Sequence, residues 1–198
     1  GTLTATSNTF SRNSSGSGGR SIHNVNGTLN LASNIFANSS ARSFNCSNIG
    51  GTIIDNGYNL TDDDTCINNH DTYSMINATL ILDPLADNGG PTLTHLPGAG
   101  SDAIGAIPYG TTFSNNGTSW TCDQSATDQR GESRPITVGT ACTSGAVEVE
   151  LPPLCPSWTV TTADELSDCI SLANLNESPS PTADTITLGA DINLSAAL

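Results

Sequence analysis

Along the first third of the chain, single aliphatic or aromatic residues are set among Thr, Ser, Asn and Gly, and the arrangement recurs. Gly1-Thr2-Leu3 returns as Gly27-Thr28-Leu29, Ser7-Asn8 as Ser33-Asn34, Phe10 as Phe36, and Asn13-Ser14-Ser15 as Asn38-Ser39-Ser40. A weaker copy runs from Gly51-Thr52-Ile53 to Gly57-Tyr58-Asn59-Leu60. A period in the twenties without helical spacing predicts a β-solenoid, in which each copy supplies two or three short strands. Equivalent strands of successive copies would lie ~4.8 Å apart. Leu3, Leu29 and Ile53 would then form one interior file and Phe10 and Phe36 another. Asn8 and Asn34 would stack at a turn, where Asn tolerates left-handed backbone. An antiparallel β-sandwich is the alternative, but it does not require copies in register.

Beyond the repeats the pattern changes. The run Leu80-Ile81-Leu82 is broken by Asp83-Pro84, and Asn88-Gly89-Gly90-Pro91 signals a turn. This predicts short strands packed in extended form along the solenoid end over 79–107. Residues 108–121 read as a polar loop carrying Tyr109, Phe113 and Trp120, and Ala146 to Leu151 alternates like an exposed edge strand. Leu151-Pro152-Pro153-Leu154 reads as a stiff linker. After it comes a strand around Thr159-Val160, then a helix. Thr162 and Glu165 form its capping box, and Leu166, Cys169, Ile170 and Ala173 share one face. Further strands are expected at 184–188 and 192–194. The expected domains are thus 1–150, a linker at 151–154, and 155–198.

Composition sharpens this picture. Hydrophobic residues make 35% and aromatics 5% of the 198 residues, which suits thin apolar strips better than one thick core. The formal net charge is −14, with five Arg and no Lys. Nothing here could neutralise a run of phosphates, so a nucleic-acid partner is excluded, as is an anionic membrane surface. Schiff-base chemistry and Lys–Asn crosslinks also fall away. There is no apolar run of membrane-spanning length and no signal-peptide pattern. Gly1 in place of Met suggests a mature product or part of a longer chain.

Six cysteines allow many pairings. The sequential one, Cys46–Cys66, Cys122–Cys142 and Cys155–Cys169, is expected because each pair brackets a turn-rich segment. Without C-x-x-C or His–Cys spacing they read as structural disulfides of an oxidising compartment, with no metal. Asp62-Asp63-Asp64 lacks the alternating spacing of a calcium loop and reads as a solvated turn. His23, His70 and His95 are scattered. No phosphate-binding glycine loop and no hydrolase triad is present. Asp128, Arg130 and Arg134 form the best charged cluster, either a site for an acidic sugar or an ion pair tying down a loop. N-x-S/T sequons begin at Asn13, Asn26, Asn38, Asn45, Asn59, Asn77, Asn116, Asn176 and Asn193. Asn116, then Asn59 and Asn77, are the candidates for glycosylation.

The blocks LDPLADNGGPTLTHLPGAGSDAI (82–104) and TDQRGESRP (127–135), with the closing cysteine-containing segment, resemble the C-terminal part of secreted bacterial right-handed parallel β-helix proteins. These are the choice-of-anchor Q proteins, related to polymorphic outer-membrane repeats. The resemblance spans roughly 1–150 and departs from the family at Thr143, Val147 and Asp102; residues 155–198 look like the start of such a β-helix. It implies an all-β, right-handed parallel β-helix with one short capping helix, joining the end of one β-helix to the beginning of another. It also implies that the Asp128–Arg134 cluster is a constant of the solenoid end and not a catalytic site. The function expected is a non-enzymatic, cofactor-free structural segment of an extracellular fibre or cell-surface protein. Its partners would be copies of itself, joined head to tail by strand addition. The alternatives are a glycan-binding adhesin module using Tyr109, Phe113 and Trp120, and a polysaccharide lyase or hydrolase.

Overall fold

The computed structural model describes residues 1–16, 19–37, 44–67 and 73–149, together with the strand residues 159–160 and 187–188. The chain divides into two compact units, Gly1–Glu150 and Leu151–Leu198. Among the described residues every regular element is a β-strand, and the larger sheets are parallel.

The repeats become tiers. The first holds β1 (Thr2–Thr6), β2 (Thr9–Ser11) and β3 (Ile22–Val25). The second holds β4 (Thr28–Ala32), β5 (Ile35–Ala37) and β6 (Cys46–Ile49). The third holds β7 (Thr52–Asp55) and β8 (Leu60–Thr61). Strands pair only with their equivalents one tier away, giving the sheets β1-β4-β7, β2-β5-β8 and β3-β6. The register is the one the repeat dictates: Leu3 opposes Leu29, which opposes Ile53, and Phe10 opposes Phe36 with rings stacked at 4.9 Å. At the corner before each second strand, Ser7, Ser33 and Tyr58 take left-handed φ near 55°. The residue that bends is thus the one before the stacked Asn, and not Asn itself.

Side chains of all three sheets meet in one apolar cluster, with Ala5, Leu29 and Leu31 from the first sheet, Phe36 from the second, and Ile22 and Cys46 from the third. The third-tier end is covered beside β8, while β7 has no strand neighbour beyond it among the described residues. Cys66 and Ile67 are buried in this cluster and Ile76 packs against it, while Met75 bridges Leu60 in parallel fashion, like one residue of a further tier. At the first-tier end Leu3 is 44% exposed, whereas Leu29 directly beneath it is 3% exposed.

The later segments cover a flank and not an end, which corrects the expectation for 79–107. Alternation along β5 sends Phe36 inward and turns Ile35 and Ala37 outward, where Leu82, Ala103 and Leu80 bury them. Beside them Ala32 is covered by Ile107, Phe113, Cys122 and Cys142. Residues 112–121 are not a loop. They form an antiparallel hairpin of β9 (Thr112–Asn115) and β10 (Thr118–Thr121), turned by Asn116 and Gly117 with φ of 49° and 86°, as a two-residue Asn-Gly connection requires. A short antiparallel pair follows, β11 (Ala126–Thr127) and β12 (Ser133–Arg134). Residues 146–149 form no exposed edge strand, since Val147 and Glu148 are each 1% exposed.

In the second unit, β13 (Thr159–Val160) and β14 (Thr187–Leu188) pair in parallel, Thr159 opposite Thr187 and Val160 opposite Leu188. The expected capping helix, the 151–154 linker and the Cys155–Cys169 pair lie outside the described residues.

Candidate functional site

The corner asparagines build a directional ladder. Asn34 Oδ1 accepts hydrogen bonds from Asn8 N (3.0 Å) and Asn8 Nδ2 (3.2 Å). Asn59 Oδ1 accepts from Asn34 N (3.0 Å) and Asn34 Nδ2 (2.9 Å). Each amide thus donates toward the later tier and accepts from the earlier one. At the third-tier end the donors of Asn59 are satisfied by Ser74 Oγ (2.9 Å) and Asp55 Oδ1 (2.7 Å). These two oxygens stand in for the amide of a next tier. At the other end Asn8 is exposed and its Oδ1 accepts nothing from the described residues. A second ladder runs from Asn24 Nδ2 to Asn48 Oδ1 (2.7 Å), with Asn24 Nδ2 also donating to Gly27 O and Asn48 Nδ2 to Gly51 O. It explains the recurring glycine: a Cβ on Gly27 would lie 2.5 Å from Asn24 Oδ1, and one on Gly51 2.2 Å from Asn24 Nδ2. The equal placement of Asn24 and Asn48 three residues before these glycines was the unread signal in the sequence.

The charged cluster is an internal knot. Asp128 Oδ1 accepts from the backbone of Arg130 and Glu132, and Oδ2 from Arg130 Nε (2.9 Å) and Glu148 N (2.8 Å). Burial works to raise its carboxyl, but these donors and the Arg130 charge hold it below the ordinary carboxylate range. Arg134 is 2% exposed and donates to Thr143 O and Gly145 O. Its Nε stands 3.9 Å from Oε2 of Glu148, whose side chain is fully buried. Burial pushes the Glu148 carboxyl up to about 7, against the pull of Arg134 and a bond from Thr143 N. Glu148 is the member the sequence did not disclose. With Asp128 saturated by bonds within the chain and Arg134 buried, the cluster presents no free carboxylate–guanidinium pair to a sugar.

The other candidates are dispersed. Tyr109, Phe113 and Trp120 do not line one exposed groove. Phe113 is 3% exposed, edge-on to Tyr58 at 5.2 Å and tilted against Trp120 at 4.8 Å, and Trp120 carries the Arg134 guanidinium 5.5 Å from its ring centroid. Tyr109 alone of the three is openly exposed, at 42%. Among the sequons, Asn59 is wholly buried and spends its amide on Leu31 O, Asp55 and the ladder, so the folded chain leaves no room for a glycan there. Asn77 and Asn116 are exposed, although Asn116 Nδ2 donates to Thr4 Oγ1. Asp63 accepts from Asn45 N, Thr61 and Thr65; burial opposes ionisation, yet these bonds lower its carboxyl. His95 Nδ1 lies 2.6 Å from Asp83 O, His23 is exposed, and His70 lies outside the described residues. Among the described residues no cluster of His, Cys, Asp or Glu could hold a metal ion.

Two disulfides are formed, Cys46–Cys66 and Cys122–Cys142, each closing a separation of 20 residues. They fit a non-reducing compartment. Among the described residues no helix is long and apolar enough to cross a membrane. Replacing Cys46 and Cys66 together by Ser is expected to lower unfolding free energy by about 3 kcal/mol, read by urea denaturation. An unchanged midpoint would mean that the crosslink constrains nothing.

Compared with known proteins, the chain matches no protein-family model, no curated protein and no solved structure.

Proposed function

We propose that residues 1–149 are stacked coils, with a lateral cover, of a right-handed parallel β-helix, and that the protein is a non-enzymatic structural segment of an extracellular or cell-surface assembly. The handedness and the kinship with choice-of-anchor Q proteins rest on the resemblance of the 82–104 and 127–135 blocks. The observation that carries the reading is the in-register tier stack, in which each strand of the first three tiers pairs with its equivalent one tier away and the corner asparagines hydrogen-bond from tier to tier. A stack of this kind is extended by addition of a further parallel strand. Head-to-tail contacts of this kind do not close on themselves and produce filaments. The disulfides and the charge of −14 suit an exposed, soluble surface outside the cell. The glycan-binding alternative loses its platform with Phe113 buried, and the lyase alternative loses its ion pair to the Arg134 knot.

Electron microscopy of the purified chain is expected to show particles joined end to end with a fixed axial repeat. Incubation with a panel of acidic glycans is expected to release no new reducing or unsaturated ends. Isolated particles at every concentration, or product from any glycan, would overturn the reading.

A further inference from the structure

We propose that residues 143–149 are an axial clasp over the stacked tiers, hinged at Cys142, and that its opening as a unit, with the tiers still stacked, is coupled to loss of the Glu148 proton. The device works within one copy, independently of end-to-end assembly.

Three consecutive residues of this segment bond to the corners of three successive tiers. Ser144 Oγ donates to Tyr58 O on the third tier (3.0 Å), Gly145 N to Ser33 O on the second (2.9 Å) and Ala146 N to Thr9 Oγ1 on the first (3.0 Å). Two residues of chain reach at most about 7 Å, whereas two tier spacings come to about 9.6 Å. The hydroxyls of Ser144 and Thr9 make up the difference. Glycine is required at the middle crossing: Gly145 has a φ of 93°, and a Cβ there would lie 2.5 Å from Ile35 Cδ1 and 2.8 Å from Thr9 Oγ1. The charged knot grips the clasp from its other side. Arg134 donates to Thr143 O and Gly145 O, Gln129 N to Ala146 O and Arg130 to Glu148 O, while Asp128 accepts from Glu148 N. Cys142 fixes the hinge through its disulfide to Cys122 and paired backbone bonds with Ile107.

Glu148 is the weak point of this lock. Its Oε1 accepts from Thr143 N (2.9 Å), but its Oε2 and Arg134 Nε, both buried and 3.9 Å apart, take no hydrogen bond among the described residues. The charged groups facing it are Arg134 on β12 and, from the turn between β11 and β12, Asp128 and Arg130. Once ionised, the carboxylate meets a guanidinium too far away to hydrogen-bond and an anion, Asp128, that repels it. Opening the clasp hydrates it. Between pH 4.5 and about 7 the closed clasp therefore holds a proton that the open one has released. Opening becomes about tenfold easier per pH unit over that range and levels off above it.

Amide hydrogen exchange of the full chain, followed by NMR between pH 5 and 8 and expressed as protection relative to intrinsic rates, tests the device. The clasp amides of Thr143, Gly145, Ala146 and Glu148 are expected to lose about 100-fold of protection between pH 5 and 8. At pH 7.5 they should exchange well before the tier amides of Ser33, Ile35 and Leu60, which bond from tier to tier. In Glu148→Gln the pH slope should vanish. Gly145→Ala, its folding verified by circular dichroism melting, should lower clasp protection even at pH 5 and leave the tier amides protected. Equal protection of clasp and tier amides at every pH, or a slope that survives Glu148→Gln, would overturn the proposal.

Discussion

Arg134→Met is expected to destabilise the fold by about 3 to 5 kcal/mol at pH 7.5, the cost of leaving a buried charge without its partner. Thr143 O and Gly145 O lose their donors, and the Glu148 carboxyl, fully buried, loses the guanidinium whose Nε stands 3.9 Å from Oε2. The remaining charges nearby are Asp128, which repels it, and Arg130, which is committed to Asp128 and to Glu148 O. Denaturant titration checks the value. Replacing both residues, as Arg134→Met with Glu148→Leu, should restore much of the loss, since removing a buried pair costs far less than breaking it. A double variant as unstable as the single one would show that packing against Trp120, and not charge, explains the effect.

The same knot sets a pH dependence. The Glu148 carboxyl is raised from 4.5 to about 7 in the folded state. Between those values the folded protein holds a proton that the unfolded chain has released. The stability this proton confers is complete below pH 4.5 and is lost as pH rises through 7, a change of about 3 kcal/mol. Asp63 and Asp128 act oppositely. Their folded values are lowered, so their contribution is present above the unfolded value of 3.8 and is lost as pH falls through the folded ones. Maximum stability is therefore expected between pH 4 and 5, where the net charge of −14 is also partly titrated. Glu148→Gln should flatten the neutral side of the curve, and the cost of Arg134→Met should shrink toward pH 5. A melting temperature that climbs steadily from pH 5 to 8 would contradict this.

What the sequence disclosed follows the range of each interaction. The tier register was legible because Leu3, Leu29 and Ile53 repeat at a fixed period, and a parallel stack turns period directly into contact. The corner ladder was half legible: the asparagines could be placed, but not the left-handed Ser before them. The flank was not read, although a signal existed. TFS at 9–11 becomes IFA at 35–37, and a strand apolar on both faces is covered on both faces. Asn116-Gly117 carried the hairpin signal too, and the polarity of its surroundings obscured it. The Arg134–Glu148 pair had no local pattern to betray it. Val-Glu alternation ordinarily marks a half-exposed strand, and only the distant guanidinium allows Glu148 to turn inward.

Phe36→Ala is expected to cost about 3 to 5 kcal/mol, and the equivalent change one tier up, Phe10→Ala, only about 1 to 2 kcal/mol. The two residues occupy the same place in the repeat and their rings stack at 4.9 Å and 6°. What differs is their level. Phe36 is fully buried within the central cluster, between the Phe10 ring and the third tier, where β8 lies against its strand. Its removal opens a cavity that the hydrogen-bonded tiers above and below cannot collapse to fill. Phe10 lies on the first tier and is only partly buried, so water takes the place of its lost contacts. Urea denaturation measures both. Equal costs would mean that the level of the ring in the stack does not set its contribution, and that the first-tier position is as tightly packed as the second.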